Sequence, residues 1–182
     1  MEQIKILFFA LCTFFGIEDG RIYAEKTTIT VSPKEQYIKI VQNDLFSIIR
    51  TEKDSLFTIQ QWNSLTNLKD HRSIWAKELD NFKIKNHNLT ALESHSKPVL
   101  QLSYSNEKDL RAMGIWYDAE KKQFSINHIP QNNIKTEHGK LEGNYWVFSA
   151  DSTFTFSLEP FKEIPEPYKK FKKPLKAIVL KN

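Results

Sequence analysis

Alternation of apolar and polar residues is the feature that most limits how this chain can fold. Phe154, Phe156 and Leu158 fall on one side of a strand, with Thr153, Thr155 and Ser157 on the other. Successive β side chains point to opposite faces, so this pattern suits a sheet with one buried and one wet face. The same period runs through residues 28–31, through 36–42 (Ile38, Ile40), through 45–50 (Phe46, Ile48) and through 55–60 (Phe57, Ile59). Glu52-Lys53-Asp54 reads as a polar turn between the last two. Leu100, Leu102 and Tyr104 continue the pattern after Pro98. Residues 110–117 and 123–127 read as a hairpin across a polar stretch, 118–122. Residues 145–149 and 153–158 read as a second hairpin around Ala150-Asp151-Ser152, and 175–180 as a closing strand.

The period changes only once. Trp75, Leu79 and Phe82 have i, i+4, i+7 spacing, which gathers them on one helix face, and Asp70 is a suitable N-cap. A short helical turn is expected near 89–93. Pro160, Pro165, Pro167 and Pro174 make 160–174 extended or irregular. The expected fold is mainly β, an antiparallel sandwich or barrel of about nine short strands with one packed amphipathic helix.

The N-terminus carries a different message. Lys5 precedes an apolar run, ILFFALCTFFGI, from Ile6 to Ile17. Polar residues Glu18, Asp19, Gly20 and Arg21 follow, then Ile22-Tyr23-Ala24. This is the order of an export signal, with cleavage expected after Ala24 and Gly16 as the second choice. The run is shorter than the roughly 20 apolar residues of a membrane span, so no integral membrane segment is expected after removal. Cys12 follows Leu11 and precedes Thr13-Phe14-Phe15, which does not fit a lipidated cysteine at a mature N-terminus. The domain organisation read from the sequence is a signal, 1–24, and a single β-rich domain, 25–182. Its expected location is periplasmic, secreted or cell-surface.

Cys12 is the only cysteine, so the expected mature domain holds together by its core and not by disulfides. Charge is distributed unevenly. Residues 25–159 carry 17 charges of each sign, whereas 160–182 hold seven lysines and two glutamates. A domain-wide positive field is absent, so no nucleic-acid partner is expected. The basic excess concentrates in Tyr168-Lys169-Lys170-Phe171-Lys172-Lys173, where lysines interleave with aromatics. Such a strip can grip an acidic polymer or the acidic face of a protein, because charge attracts and rings stack.

Other motifs are weak. Ser94-His95-Ser96-Lys97 and Ser105-Asn106-Glu107-Lys108 both match S-x-x-K, and no K-T-G partner occurs. Five histidines are scattered without metal-ligand spacing, and His128 and His138 could flank one connection. No metal or cofactor is expected. Gly114-Ile115-Trp116-Tyr117 is similar to the G-x-W of lipocalins and to the opening strand of avidin-like barrels. That resemblance implies a tryptophan closing a barrel's end. In those families the motif lies on the first strand, whereas here 66 residues follow Trp116, and the resemblance covers four residues. The leading expectation is an exported, non-enzymatic domain that binds a macromolecule through the 168–173 strip. Alternatives are a β-barrel carrying a small apolar ligand near Trp116, and an exported hydrolase.

Overall fold

A computed structural model describes residues 4–66, 74–89 and 97–180. Among the described residues the fold is mainly β, with ten strands in antiparallel sheets and few helices. The strands are β1 (Tyr23–Ser32), β2 (Tyr37–Ile48), β3 (Ile84–Asn88), β4 (Val99–Ser103), β5 (Ile115–Asp118), β6 (Gln123–Asn127), β7 (Lys140–Glu142), β8 (Tyr145–Ser149), β9 (Phe154–Leu158) and β10 (Lys172–Pro174). One sheet has the order β3-β4-β2-β1-β9, with β10 joining β2 beyond the end of β4. The other has the order β5-β6-β8-β7. Among the described residues neither sheet closes into a barrel.

Alternation explains the shared core. Ile29 and Val31 of β1, Ile38 and Ile40 of β2, and Leu100 and Leu102 of β4 are fully buried. Phe124, Ile126 and Phe148 of the second sheet are buried as well. Phe148 stacks on Phe154 with ring centroids 4.4 Å apart. Complete burial of side chains this size is worth about 1.5–3 kcal/mol each, which makes this core the main source of stability.

That stacking also corrects an expectation. β8 and β9 do not form a hairpin. β8 pairs with β6 and β7, whereas β9 pairs with β1, so residues 150–153 carry the chain from one sheet to the other. Both segments alternate, and alternation does not say which sheet a strand joins. The β5–β6 hairpin is present, but the start of its expected first strand, 110–113, belongs to a 3-10 helix, Glu107–Met113, that ends at Gly114. The two stretches read as separate at 36–42 and 45–50 form a single strand, β2.

Helices fall where strands were expected. Residues 55–60 lie within α1 (Glu52–Thr66), not in a strand. Its buried residues are Thr58, Gln61, Trp62 and Leu65, a helical i, i+3, i+4, i+7 set. Thr51 and Asp54 start it: the Asp54 carboxylate accepts from the Thr51 backbone N–H at 3.0 Å, and the Asp54 N–H donates to Thr51 Oγ1 at 3.3 Å. This reciprocal pair satisfies donors that a helix start leaves free. After β9 come α2 (Glu166–Lys169) and α3 (Leu175–Val179), and α3 replaces the expected closing strand. In the described part of the expected helix over 70–82, residues 74–82, the helical stretch is a 3-10 turn, Lys77–Leu79, with Ile74 exposed. Leu79 and Phe82 are nonetheless buried, and Trp75 packs on Phe15. The Asp70 cap and residues 90–93 of the expected turn lie outside the described residues.

In the whole chain the apolar N-terminal run is an interior element. Ile6, Phe8, Leu11, Cys12, Phe14 and Phe15 are all buried. Leu11–Phe15 forms a 3-10 helix that ends at Gly16, whose φ of 64° suits a residue without Cβ. The segment crosses the larger sheet: Phe8 sits edge-on to Phe156 of β9, and Phe15 edge-on to His87 of β3. It then doubles back to pair Ala10 with Tyr23. Among the described residues no helix is long and apolar enough to cross a membrane.

Candidate functional site

The C-terminal strip is anchored to the fold on both sides. Lys172 lies opposite Ile48, Lys173 opposite Ser47 and Pro174 opposite Phe46, and the Ile49 N–H donates to the Phe171 carbonyl at 2.8 Å. Downstream, Leu175 and Ile178 of α3 are buried. Upstream, Phe161 packs between Phe9, Tyr23 and Phe46, with centroids 5.0–5.5 Å away.

This anchoring sorts the strip's side chains. Arg50, at the end of β2, places its guanidinium 5.0 Å from the Tyr168 ring centre and 5.8 Å from that of Phe171. Lys170 covers Phe171 at 4.9 Å. Lys172 turns toward the protein, lying 4.7 Å over Phe46 and ion-pairing with Glu25. Lys169 pairs with Glu166 across one turn of α2. Lys170, Lys173 and Lys176 are exposed, as is Arg50. The outward surface is therefore a cation–aromatic ladder, Tyr168–Arg50–Phe171–Lys170, flanked by Lys173 and Lys176, which form no ion pair among the described residues. Arg50 was not among the residues picked out from the sequence. Only the pairing of β10 with β2 brings it to the strip, and residues more than a hundred positions apart leave no local trace of that.

Trp116 lies in the other sheet, on β5. It pairs across to Ser125, is half-buried, and carries the Arg111 guanidinium 5.5 Å over its ring. Gly114 is in the left-handed region, with φ 75°, and caps the 3-10 helix 107–113. The G-x-W stretch here is a helix cap feeding a strand in the middle of the chain, and Trp116 closes no barrel.

A second polar constellation lies inside, where the N-terminal run crosses the larger sheet. Thr27 and Gln42 are opposite one another on β1 and β2, and both are fully buried. Gln42 Nε2 donates to the Phe8 carbonyl at 2.8 Å, and Thr27 Oγ1 donates to the same oxygen at 3.2 Å. Gln42 Oε1 is buried and accepts no hydrogen bond. A buried amide oxygen without a donor costs about 1–3 kcal/mol, so this is an unusual place for a glutamine. On another side of Phe8 lies a partly open, mainly apolar pocket of about 100 Å³, lined in part by Ile6, Phe8, Met113, Ile126 and Phe156.

Gln61 ties the same segment to α1. It accepts from the Arg21 N–H at 3.0 Å and donates to the Asp19 carbonyl at 3.2 Å. Arg21 also pairs with Asp54. The backbone N–H groups of Arg50 and Thr51, followed by Arg21, hold the Asp54 carboxyl down at about 2.

The remaining motifs have local partners. His128 Nδ1 accepts from Trp146 Nε1 at 3.2 Å, and His138 Nδ1 accepts from the Thr155 N–H at 3.4 Å. Burial holds His87 below the usual histidine range. Asn106 caps the 3-10 helix inside the second S-x-x-K match, and residues 94–96 of the first lie outside the described residues. No family model, curated protein or solved structure matches this chain.

Proposed function

We propose that the protein is an exported, non-enzymatic β-sandwich domain that binds an acidic macromolecule outside the cytoplasm. The observation that carries the reading is the ladder of Tyr168, Arg50, Phe171 and Lys170. Its rings and cations are ordered by β10 and α3 before any partner arrives, which lowers the ordering cost of binding. Lys173 and Lys176 extend the positive surface, while Lys169 and Lys172 are held by Glu166 and Glu25.

Export supports the same picture through the sequence of the first 24 residues. The Ala24–Glu25 bond lies within β1, and Ala24 is fully buried opposite Leu45. Cleavage after Ala24 therefore precedes folding, as it does for a chain translocated unfolded. The two sheets then face one another as a sandwich.

Heparin, a soluble polyanion, tests the binding surface. Its affinity should fall on the order of tenfold between about 50 mM and about 200 mM salt, because few cations are engaged. Lys170→Glu combined with Lys173→Glu should remove most of the binding. A salt-independent affinity, or full binding by that variant, would contradict the reading.

A further inference from the structure

We propose that, once residues 1–24 are removed, the groove they occupy takes a single long acyl chain, with its carbonyl on Gln42 and Thr27. The inference rests on the cleavage reading above and goes beyond the cationic surface. It begins from what the segment does in the whole chain. A nearly continuous apolar segment crosses the larger sheet from Phe156 on β9 to His87 on β3. Removing it leaves a long apolar trough. Exposed apolar patches beyond a few hundred Å² are rare on soluble proteins and mark binding sites.

The trough is not purely apolar, and its polar point has a defined chemistry. Two buried donors converge on one carbonyl oxygen, that of Phe8, from adjacent strands. Both donors belong to residues 25–182, so they stay when the segment leaves. Beside them Gln42 Oε1 is buried without a donor. A primary amide that offers an N–H to a carbonyl and an oxygen to a neighbouring O–H or N–H complements a protonated carboxylic acid or an amide. An apolar chain ending in such a group satisfies Gln42 more completely than the peptide segment does. A partly open pocket of about 100 Å³ against Phe8 gives an acyl chain further room at that end of the path.

The ligand class is therefore a fatty acid or a fatty amide. In the whole chain the N-terminal segment is an internal competitor for that site. A ligand that occupies the trough also stabilises the folded mature domain, by mass action on the native state alone.

The test uses the whole chain expressed in an exporting host. The exported product is purified natively, its N-terminus is read from its mass, and its organic extract is searched for lipid. A fluorescent long-chain fatty acid and a hydrocarbon probe of equal length without the carboxyl group are then titrated. The expected product begins at Glu25, binds the fatty acid and melts higher with it. Whole chain produced without export should not bind, because its own segment fills the trough. Gln42→Leu in the exported product should weaken the fatty acid about tenfold and leave the hydrocarbon unchanged. Thr27→Val should shift binding in the same direction by less, and serves if the first variant fails to fold. A folded product beginning at Glu25 that carries no lipid and binds neither probe overturns this inference and leaves export standing. A product that begins at Met1 overturns the cleavage reading and this inference with it. Equal weakening of both probes by Gln42→Leu overturns the role given to its amide.

Discussion

The two ends of the chain meet at Phe161, and opposite forces hold them there. The N-terminal end is apolar and lies inside: Leu11 and Phe14 are fully buried, and its backbone is hydrogen-bonded by side chains from β1, β2 and α1. The C-terminal end is cationic and lies outside, fixed by a three-residue strand and by Leu175 and Ile178, with Lys170 and Lys173 left in solvent. Phe161 of the outer segment rests on Phe9 of the inner one at 5.3 Å. On the proposed reading, the difference separates stability from recognition. In the whole chain the inner segment supplies core, whereas the outer segment supplies charge that the core does not need. The two should therefore respond oppositely to mutation.

The largest expected effect is on the inner side. Phe14→Ala in the whole chain, made without export, should cost about 3–5 kcal/mol, since it empties a fully buried ring site. Denaturant unfolding reads this directly, and a cost below about 1 kcal/mol would break the comparison. In the exported product the same substitution should change nothing, because the residue is gone.

Phe161→Ala tests the contact between the ends. The ring is half-buried, so a loss of about 2 kcal/mol is expected in the whole chain. A double-mutant cycle with Phe9→Ala should show coupling of about 0.5–1.5 kcal/mol, the range for an edge-on aromatic pair. Additive effects would mean that the two ends are held independently.

Acid should act through Asp54, which binds Arg21 of the inner segment and the backbone before α1. Its folded carboxyl is held at about 2, against an ordinary value of 3.8. The stability it contributes is therefore fully present above about 3.8 and fades as pH falls toward about 2. Asp54→Asn should flatten that limb of a melting-temperature profile. An unchanged limb would show that other carboxylates control acid unfolding.

The smallest stability effect is on the outer side. Lys170→Ala and Lys173→Ala should each stay within about 0.5 kcal/mol of the parent, as exposed substitutions usually do. Heparin affinity should fall for both. A stability loss without an affinity loss would reverse the roles assigned to the two ends.

Much of the β framework was legible because burial on one face writes alternation into the strands. β1, β4, β6 and β9 all follow their patterns. What alternation does not encode is pairing, so the crossing of residues 150–153 between sheets was read as a hairpin turn. α1 misled for a related reason. Phe57 and Ile59 alternate, but both point away from the main buried face, whereas Thr58, Gln61, Trp62 and Leu65 carry the helical period. The T-x-x-D of Thr51 and Asp54 was the local sign of a helix start. At the candidate site, the cationic strip was visible as composition, but Arg50 joins it through a long-range pairing. The Gln42–Thr27 pair was invisible: each is a polar residue in a strand, and only the inward face of both strands makes them notable.

The mass of the protein recovered outside the cytoplasm tests the central claim most directly. A chain that begins at Glu25 is the predicted result, with the inner segment gone and the cationic surface intact. A chain that begins at Met1, with Phe14 and Leu11 still in the core, would contradict it.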